Sequence, residues 1–265
     1  FFISEENLLL SGGDPLLALR NLNKNLQLFL LLIPFAFGFL GLLFVVNKLH
    51  DRDLRSISTS RKNLDWKRVL FAFIIWGGVI ILLSALDYFL FPENYKWNFN
   101  PKKFTILFLI AIFLIPIQSS FEEYFFRGYL MQGFNTIFRN PFITLSITSI
   151  IFGFLHWYNP EVQKLGYGIL TYYVGTGFFL GIITLMDDGI ELALGFHAAN
   201  NFFTALIVTS SWTAFQTESI LIDISVPSLG PQIILPFLVF YPLFIGLMSI
   251  RYSWSEWKNK IISKI

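Results

Sequence analysis

The feature that most constrains this chain is a series of long apolar segments that contain almost no charged residues. A helix that crosses a hydrocarbon core of about 30 Å needs about 20 consecutive, mostly apolar residues. Only 14% of the residues are charged, whereas soluble domains carry roughly 25%. The sequence therefore predicts an all-α, polytopic transmembrane helix bundle of about seven spans within a lipid bilayer. The predicted spans cover residues 26–46, 69–91, 104–134, 142–158, 167–186, 190–209 and 233–250.

The composition indicates one membrane domain. We expect an N-terminal segment at residues 1–25, a transmembrane domain at 26–250 with its functional core at 104–209, and a tail at 251–265. The small net charge of +2 is spread along the chain and does not indicate a nucleic-acid partner. The absence of cysteine excludes disulfides, thiolate zinc sites and cysteine nucleophiles.

Lys and Arg are unevenly distributed among the connections between the predicted spans. If the spans alternate in direction, the connection 47–68, Arg139 and the tail share one face and carry twelve Lys and Arg residues, whereas the opposite face carries six. Cytoplasmic connections carry the excess of positive charge. The sequence therefore predicts an integral plasma (inner) membrane protein with its N-terminus outside and its C-terminus in the cytoplasm.

A few ionisable side chains fall inside the predicted spans. A charge inside a bilayer costs free energy, so such residues indicate a function unless another role explains them. Asp87 lies near the end of its span, and Glu191 is expected to cap the start of a helix, where acidic groups are favourable. The remaining five are Glu122, Glu123, Arg127, His156 and His197.

The first three of these lie on one predicted helix. Glu123 and Arg127 are four residues apart, so they share a helix face and are expected to form an ion pair. Glu122 points about 100° away from Glu123. The spacing therefore predicts that Glu122 is free for another role.

Counting along the helices places four polar residues at a similar depth. Glu122 lies seventeen residues before Arg139 and His156 lies seventeen residues after it. In an antiparallel hairpin the two side chains are therefore level. His197 and Asn201 lie one turn apart on another helix, at a comparable distance from the same membrane face. We expect all four side chains to converge in one buried pocket.

Such a pocket is suited to hydrolysis. Glu122 and His156 could hold a water molecule, and burial makes a carboxylate a stronger base. His197 and Asn201 could then donate hydrogen bonds to the oxyanion that forms on an attacked amide. Alternatively, Glu122, His156 and His197 could bind a zinc ion, because two His and one Glu form a known catalytic zinc set. The residues alone do not decide between these two chemistries.

Three motifs in this order resemble the CPBP family of CAAX proteases and bacteriocin-processing enzymes, which is also called the ABI family. The motifs are Glu-Glu-xxx-Arg, Phe-xxx-His and His-xxx-Asn. They occupy Glu122, Glu123, Arg127, Phe152, His156, His197 and Asn201.

The resemblance implies a CAAX-type intramembrane endopeptidase that acts on a membrane-associated peptide or protein. It implies that Glu122 and His156 activate water, that His197 and Asn201 stabilise the oxyanion, and that the other three positions support them. Members of the family are described as metalloproteases, although a metal-free glutamate mechanism is also argued for eukaryotic members. Both possibilities therefore stay open here.

Two other functions are compatible with the same residues. One is a non-catalytic membrane scaffold or immunity protein of the same fold. The other is a proton-coupled transporter in which Glu122 and the His residues relay protons. The sequence has no clear inverted repeat, which is typical of many transporters. Side chains within reach of one water molecule would favour hydrolysis, and a continuous polar path would favour transport.

Overall fold

A computed structural model describes residues 22–230 and 234–263. Most of the predicted N-terminal segment, the first residue of the predicted seventh span and the last two residues of the tail lie outside these ranges. Helices dominate the described residues. In chain order they are α1 (Lys24–Phe44), α2 (Trp66–Leu90), α3 (Pro101–Glu123), α4 (Met131–Phe138), α5 (Pro141–Phe154), α6 (Pro160–Leu165), α7 (Leu170–Asp187), α8 (Glu191–Ile207), α9 (Tyr241–Tyr252) and α10 (Trp257–Ile261).

Shorter helical segments extend or connect these helices. In the described ranges, π-helical segments occur at Val45–Leu49, Tyr124–Leu130 and Pro236–Phe240, and 3₁₀ turns at Leu54–Ile57, Pro92–Asn94 and Tyr167–Ile169. The second π-helical segment joins α3 to α4. The predicted third span is therefore helical throughout, but its hydrogen-bond pattern changes directly after Glu123.

The prediction of seven spans is only partly confirmed. Within the described residues, four segments are long and apolar enough to cross a membrane by length and composition: Lys24–Leu49, Trp66–Leu90, Pro101–Phe138 and Tyr167–Asp187. Helix α5 has 14 residues, or about 21 Å at 1.5 Å per residue, which is shorter than the hydrocarbon core. Helix α9 has 12 residues and follows a π-helical segment. These two apolar helices are therefore too short to count among the segments that could cross a membrane by length.

Helix α8, which was predicted to be the sixth span, is a buried core helix. It packs between α2 and α3, and most of its side chains are buried within the protein. Its position explains why it tolerates ionisable residues: they face protein rather than lipid. The chain is an integral membrane protein, but its core is built around a helix that does not resemble a lipid-facing span.

A small sheet departs from the all-α prediction. Its strands are β1 (Tyr95–Trp97), β2 (Val208–Ser210) and β3 (Leu221–Asp223), in the order β1–β3–β2. Strand β3 is antiparallel to β1 and parallel to β2. Strands of three residues are too short to produce a recognisable alternating pattern in the sequence. The sheet ties the connection after α2 to the end of α8.

Two of the helices that carry motif residues, α3 and α5, begin at Asn-Pro pairs. Asn100 precedes Pro101 at the start of α3, and Asn140 precedes Pro141 at the start of α5. Each asparagine side chain accepts a hydrogen bond of 3.1 Å from the backbone N–H three residues later. Asparagine is a favoured N-cap, and proline suits the first helical position because its missing N–H would have no helical partner there.

Glycines on α7 allow close packing against α5. A Cβ atom at Gly177 would lie 2.9 Å from the Cα of Ser149, and one at Gly181 would lie 2.3 Å from a methyl group of Leu145. Small residues four apart commonly mark close helix contacts in membranes. The two glycines therefore allow α7 to approach α5 closely.

The two acidic residues that were predicted to be structural are paired with neighbouring groups. Asp87 accepts a hydrogen bond from the hydroxyl of Tyr95, and burial together with this bond raises the pKa of Tyr95. Glu191 is fully buried and pairs with Arg61 at 3.2 Å. Its other oxygen accepts from the backbone of Asp65 at 3.3 Å. Glu191 therefore anchors the connection 50–65 rather than only capping α8.

Candidate active site

Glu123 is the buried centre of a charged cluster. Its Oε1 atom lies 3.0 Å from Nη1 of Arg127 and 2.6 Å from Nδ1 of His197. A carboxylate only accepts hydrogen bonds, so Nδ1 of His197 is the donor. The predicted ion pair between Glu123 and Arg127 is confirmed. The contact with His197 means that Glu123 also fixes the orientation of that ring.

Arg127 connects three helices at this point. Its Nη2 atom donates to the carbonyl oxygen of Gly177 on α7 at 3.3 Å, and its guanidinium group lies 4.5 Å from the ring centroid of Phe152 on α5. Arg127 lies in the π-helical segment between α3 and α4. Such segments occur frequently at functional sites. Here the segment presents Arg127 to Glu123 while α3 continues into α4.

Glu122 lies on the other side of the His197 ring. Its Oε2 atom is 3.7 Å from Nε2 of His197, and its Oε1 atom accepts a hydrogen bond of 2.6 Å from Gln118. The side chain of Glu122 is 13% exposed, whereas that of Glu123 is fully buried. A separation of 3.7 Å is too long for a direct hydrogen bond but suits a bridging water molecule.

Gln118 links Glu122 to Asn201, the last of the motif residues. Its side-chain nitrogen donates to Glu122, and its side-chain oxygen accepts a hydrogen bond of 2.9 Å from Nδ2 of Asn201. Gln118 was not among the predicted site residues. Its position four residues before Glu122 places it on the same helix face, and this spacing is the signal by which the sequence could have revealed it.

His156 lies beside this cluster rather than within its hydrogen bonds. Helix α5 ends at Phe154, so His156 lies in the following turn and not at the end of a helical span as predicted. Its Nδ1 atom donates to the carbonyl oxygen of Phe152 at 2.9 Å, and its ring stacks on Tyr173 at 4.0 Å. In the neutral ring, Nε2 is therefore free to accept a proton.

Phe152 lies between the two histidines. Its ring centroid is 5.1 Å from that of His156 and 6.3 Å from that of His197. Within residues 22–230 and 234–263, no hydrogen bond or ion pair joins His156 to Glu122. The structure thus brings Glu122, His197 and Asn201 into one cluster and positions His156 next to it across an aromatic ring.

The predicted zinc ligands do not fit a metal site. Three protein ligands of one zinc ion must each approach it to about 2.0–2.2 Å. Among the described residues, no group of three or more His, Cys, Asp and Glu side chains has an arrangement that could hold a metal ion. The set Glu122, His156 and His197 is therefore not supported as a metal site, nor is the metalloprotease interpretation.

Comparison with known proteins gives two matches. Residues 101–203 match the family described as type II CAAX prenyl endopeptidase Rce1-like. The chain is also 33% identical over 184 residues to the uncharacterized protein YyaK of Bacillus subtilis (strain 168), which covers 69% of this chain. The chain spans 62% of the length of that relative. No solved structure matches the chain.

The family match agrees with the three motifs. All seven motif positions, from Glu122 to Asn201, lie within the matched residues. The matched range also includes Gln118 and the π-helical segment that carries Arg127. Residues 101–203 of the chain are therefore similar to the Rce1-like family, which is described as type II CAAX prenyl endopeptidase.

Proposed function

We propose that this protein is an intramembrane endopeptidase that hydrolyses a peptide bond of a membrane-associated substrate. The observation that carries the proposal is the arrangement around His197. Glu123 binds one nitrogen of this ring, and the Glu122 carboxylate lies 3.7 Å from the other. A largely buried carboxylate next to a fixed imidazole is suited to general-base chemistry on a water molecule.

In the proposed reaction, Glu122 and Nε2 of His156 hold the attacking water. Glu122 takes a proton from this water while the water oxygen forms a bond to the carbonyl carbon. The C–N bond of the substrate then breaks, and Glu122 returns the proton to the leaving amine. The proton that Glu122 takes from the water is the one that it returns to the amine, so the reaction needs no further reactant.

The negative charge on the substrate oxygen requires hydrogen-bond donors. We assign this role to Nδ2 of Asn201 and, when its ring carries both protons, to Nε2 of His197. Asn201 donates to Gln118 in the structure, so it would exchange this partner for the oxyanion. Donors aimed at a developing oxyanion are typically worth several kcal/mol.

Glu123, Arg127 and Phe152 support the reacting groups without touching the substrate. Glu123 holds the His197 ring, Arg127 balances the charge of Glu123, and Phe152 packs against the guanidinium group and both histidines. Removing one partner from a buried ion pair leaves an uncompensated charge and is strongly destabilising. The proposed role of these three residues is therefore positional.

The name of the matched family suggests the substrate class. It describes endopeptidases of prenylated CAAX proteins, so we propose a protein or peptide that is held at the membrane by a lipid group or an apolar segment. We further propose that the protein resides in the plasma (inner) membrane. The reaction as written uses only side chains of this chain and does not involve a metal ion.

The first prediction concerns Glu122→Gln. Glutamine has nearly the same shape as glutamate but is not a base, so the variant should fold and bind substrate while cleavage falls by about 10²- to 10⁴-fold or more. The assay uses purified protein in lipid nanodiscs and a panel of membrane-anchored peptides that includes prenylated CAAX peptides. Glu93→Gln, at an exposed carboxylate outside the cluster, is the matched control.

Two results would contradict the proposal. Cleavage by Glu122→Gln at the wild-type rate would show that this carboxylate is not the base. Loss of wild-type cleavage on addition of a chelator, restored by zinc, would show that the metal-free chemistry is wrong. Membrane-fraction proteomics of cells that carry either form provides a search for natural substrates.

A further inference from the structure

A cavity with polar side chains in its lining lies on the side of the protein that carries the basic connection 50–65. It is a cavity of about 570 Å³ between this connection, α4, the start of α5 and the end of α7. Its lining includes the side chains of Gln132, Asn135, Thr144 and Lys260, and Arg127 lies at its wall. The cavity therefore extends from the basic side of the molecule to a residue of the candidate active site.

Two buried polar atoms of this lining lack partners. Thr144 is 2% exposed, and neither its Oγ1 atom nor Oδ1 of Asn135 has a hydrogen-bond partner within the described part of the chain. A buried polar group without a partner costs about 1–3 kcal/mol. Such a cost is normally removed by buried water, which forms about three hydrogen bonds in a polar cavity of sufficient size.

The size and charge of the cavity favour water over an ionic ligand. At about 30 Å³ per molecule, the volume corresponds to roughly a dozen or more waters. Both cationic groups at its wall already have acidic partners, because Lys260 pairs with Asp188 and Arg127 pairs with Glu123. The lining thus offers many hydroxyl and amide groups but no unpaired charge that would select an ion.

Arg127 separates the cavity from the catalytic cluster by a single side chain. Arg127 is one of the lining residues, and its guanidinium group donates to Glu123, which in turn holds His197. The cavity therefore reaches from the basic side of the protein to a residue that contacts the candidate site. An active site that is surrounded by apolar helices needs such a polar region, because hydrolysis consumes one water molecule per bond.

We propose that this cavity is a hydrated inlet that brings water from the basic side of the membrane to Arg127 and the buried Glu123–His197 pair. Water in the inlet satisfies Thr144 and Asn135 and solvates the outer side of the Arg127 guanidinium group. Exchange of the Arg127–Glu123 contact for water would then admit single water molecules to the cluster.

The cysteine-free sequence allows a direct test by cysteine labelling. Thr144→Cys and Met131→Cys place a thiol in the cavity wall on two different helices, at residues that are 2% and 5% exposed. Ile143→Cys and Ile150→Cys place a thiol on the outer surface of α5, at residues that are 41% and 45% exposed. Lys62→Cys, in the exposed basic connection, is the positive control. The reagent is a charged methanethiosulfonate applied to protein in nanodiscs.

The two cavity thiols should react at least about tenfold faster than the two outer thiols, although they are less exposed within the protein. Only the thiolate reacts, and a thiol in lipid has a raised pKa, each unit of which lowers the thiolate fraction about tenfold. If both cavity thiols stay unlabelled while Lys62→Cys is labelled, the inlet does not exist. Labelling of the outer thiols at the same rate as the cavity thiols would also overturn the proposal.

Either cavity variant alone is sufficient if the other does not fold, as judged by size-exclusion chromatography. The labelling needs no substrate. Its outcome is therefore independent of whether the protein is an endopeptidase.

Discussion

The side chain of Gln118 both donates and accepts hydrogen bonds at the candidate site. Its amide nitrogen donates to the proposed base Glu122, and its amide oxygen accepts from the proposed oxyanion donor Asn201. An amide is well suited to this position because a single group supplies both a donor and an acceptor. A carboxylate there would accept only and would lie next to Glu122.

The second prediction compares Gln118→Leu with Asn201→Ala. Loss of the Asn201 donor should lower turnover by about 10²- to 10³-fold. Gln118→Leu leaves both groups present but unoriented, and misplacement by about 1 Å can cost up to about 10²-fold. Both variants should lower kcat more than they raise KM in the cleavage assay. Gln216→Leu, at a glutamine that bonds only the nearby backbone of Ser211, is the control.

Unchanged turnover in Gln118→Leu, with the expected loss in Asn201→Ala, would show that Gln118 is not required to orient Asn201. A loss of folded protein in both variants, without a change in turnover per folded molecule, would indicate a purely structural hydrogen bond. These two outcomes are separated by measuring active-site turnover on the monodisperse fraction.

At the scale of the helices, the segment Pro101–Phe138 carries three of the seven motif residues. It is 38 residues long, and its π-helical part begins directly after the two carboxylates. Arg127 in this part contacts Gly177 of α7 and Phe152 of α5. The segment therefore positions the two carboxylates and also holds α5 and α7 around them.

The third prediction concerns Arg127→Ala. Removing this side chain leaves Glu123 buried next to His197 without its cation, and breaking a buried pair costs about 3–5 kcal/mol. The yield of monodisperse protein in detergent should fall. The double variant Glu123→Gln/Arg127→Met removes both charges and should recover much of that yield. Full yield with abolished cleavage in Arg127→Ala would instead assign Arg127 a direct contact with the substrate.

At the scale of the whole molecule, an ion-pair network holds the basic side together. Asp187 at the end of α7 is buried, pairs with Arg61 at 3.1 Å and with Arg68, and accepts from the indole of Trp254 at 3.1 Å. Glu191 at the start of α8 shares Arg61. The connection before α2, the junction between α7 and α8, and the C-terminal tail thus meet at one carboxylate.

The fourth prediction is that Asp187→Asn lowers thermal stability much more than Asp188→Asn. Asp187 balances two arginines, so its loss should cost up to about 3–5 kcal/mol, with some reduction because the arginines are partly solvated. Asp188 is 53% exposed and pairs only with Lys260, and exposed pairs are worth about 0–1 kcal/mol. Thermal unfolding of both variants in the same detergent provides the comparison. Equal melting temperatures of the Asp187→Asn and Asp188→Asn variants would show that the ion-pair network around Asp187 does not hold the tail in place.

The fifth prediction concerns orientation. Twelve Lys and Arg residues against six favour a cytoplasmic location for the basic connections and the tail if the predicted seven spans alternate. A reporter that is active only in the cytoplasm, fused after residue 265, should therefore be active. The same reporter inserted in the connection between β2 and β3 should be silent. The reverse pattern would show that the charge bias does not set the orientation of this protein.

The sequence by itself determined the membrane class, the three motifs and several local contacts. Glu123 pairs with Arg127 because this contact follows from the spacing of residues on one helix. The same periodicity could have indicated Gln118. The spans that the structure supports were likewise predictable, since length and apolar composition are sequence properties.

Only the tertiary structure decided which groups from different helices meet. It placed His197, rather than His156, next to Glu122, ended α5 before His156, and buried α8 between α2 and α3 instead of against lipid. Counting residues gives the depth of a side chain but not the rotation of its helix about the axis. That rotation depends on packing between segments that are far apart in the chain, such as Phe152 between two histidines and Gly177 against Ser149. The identity of the site therefore follows from local spacing, whereas its hydrogen-bond partners follow from long-range packing.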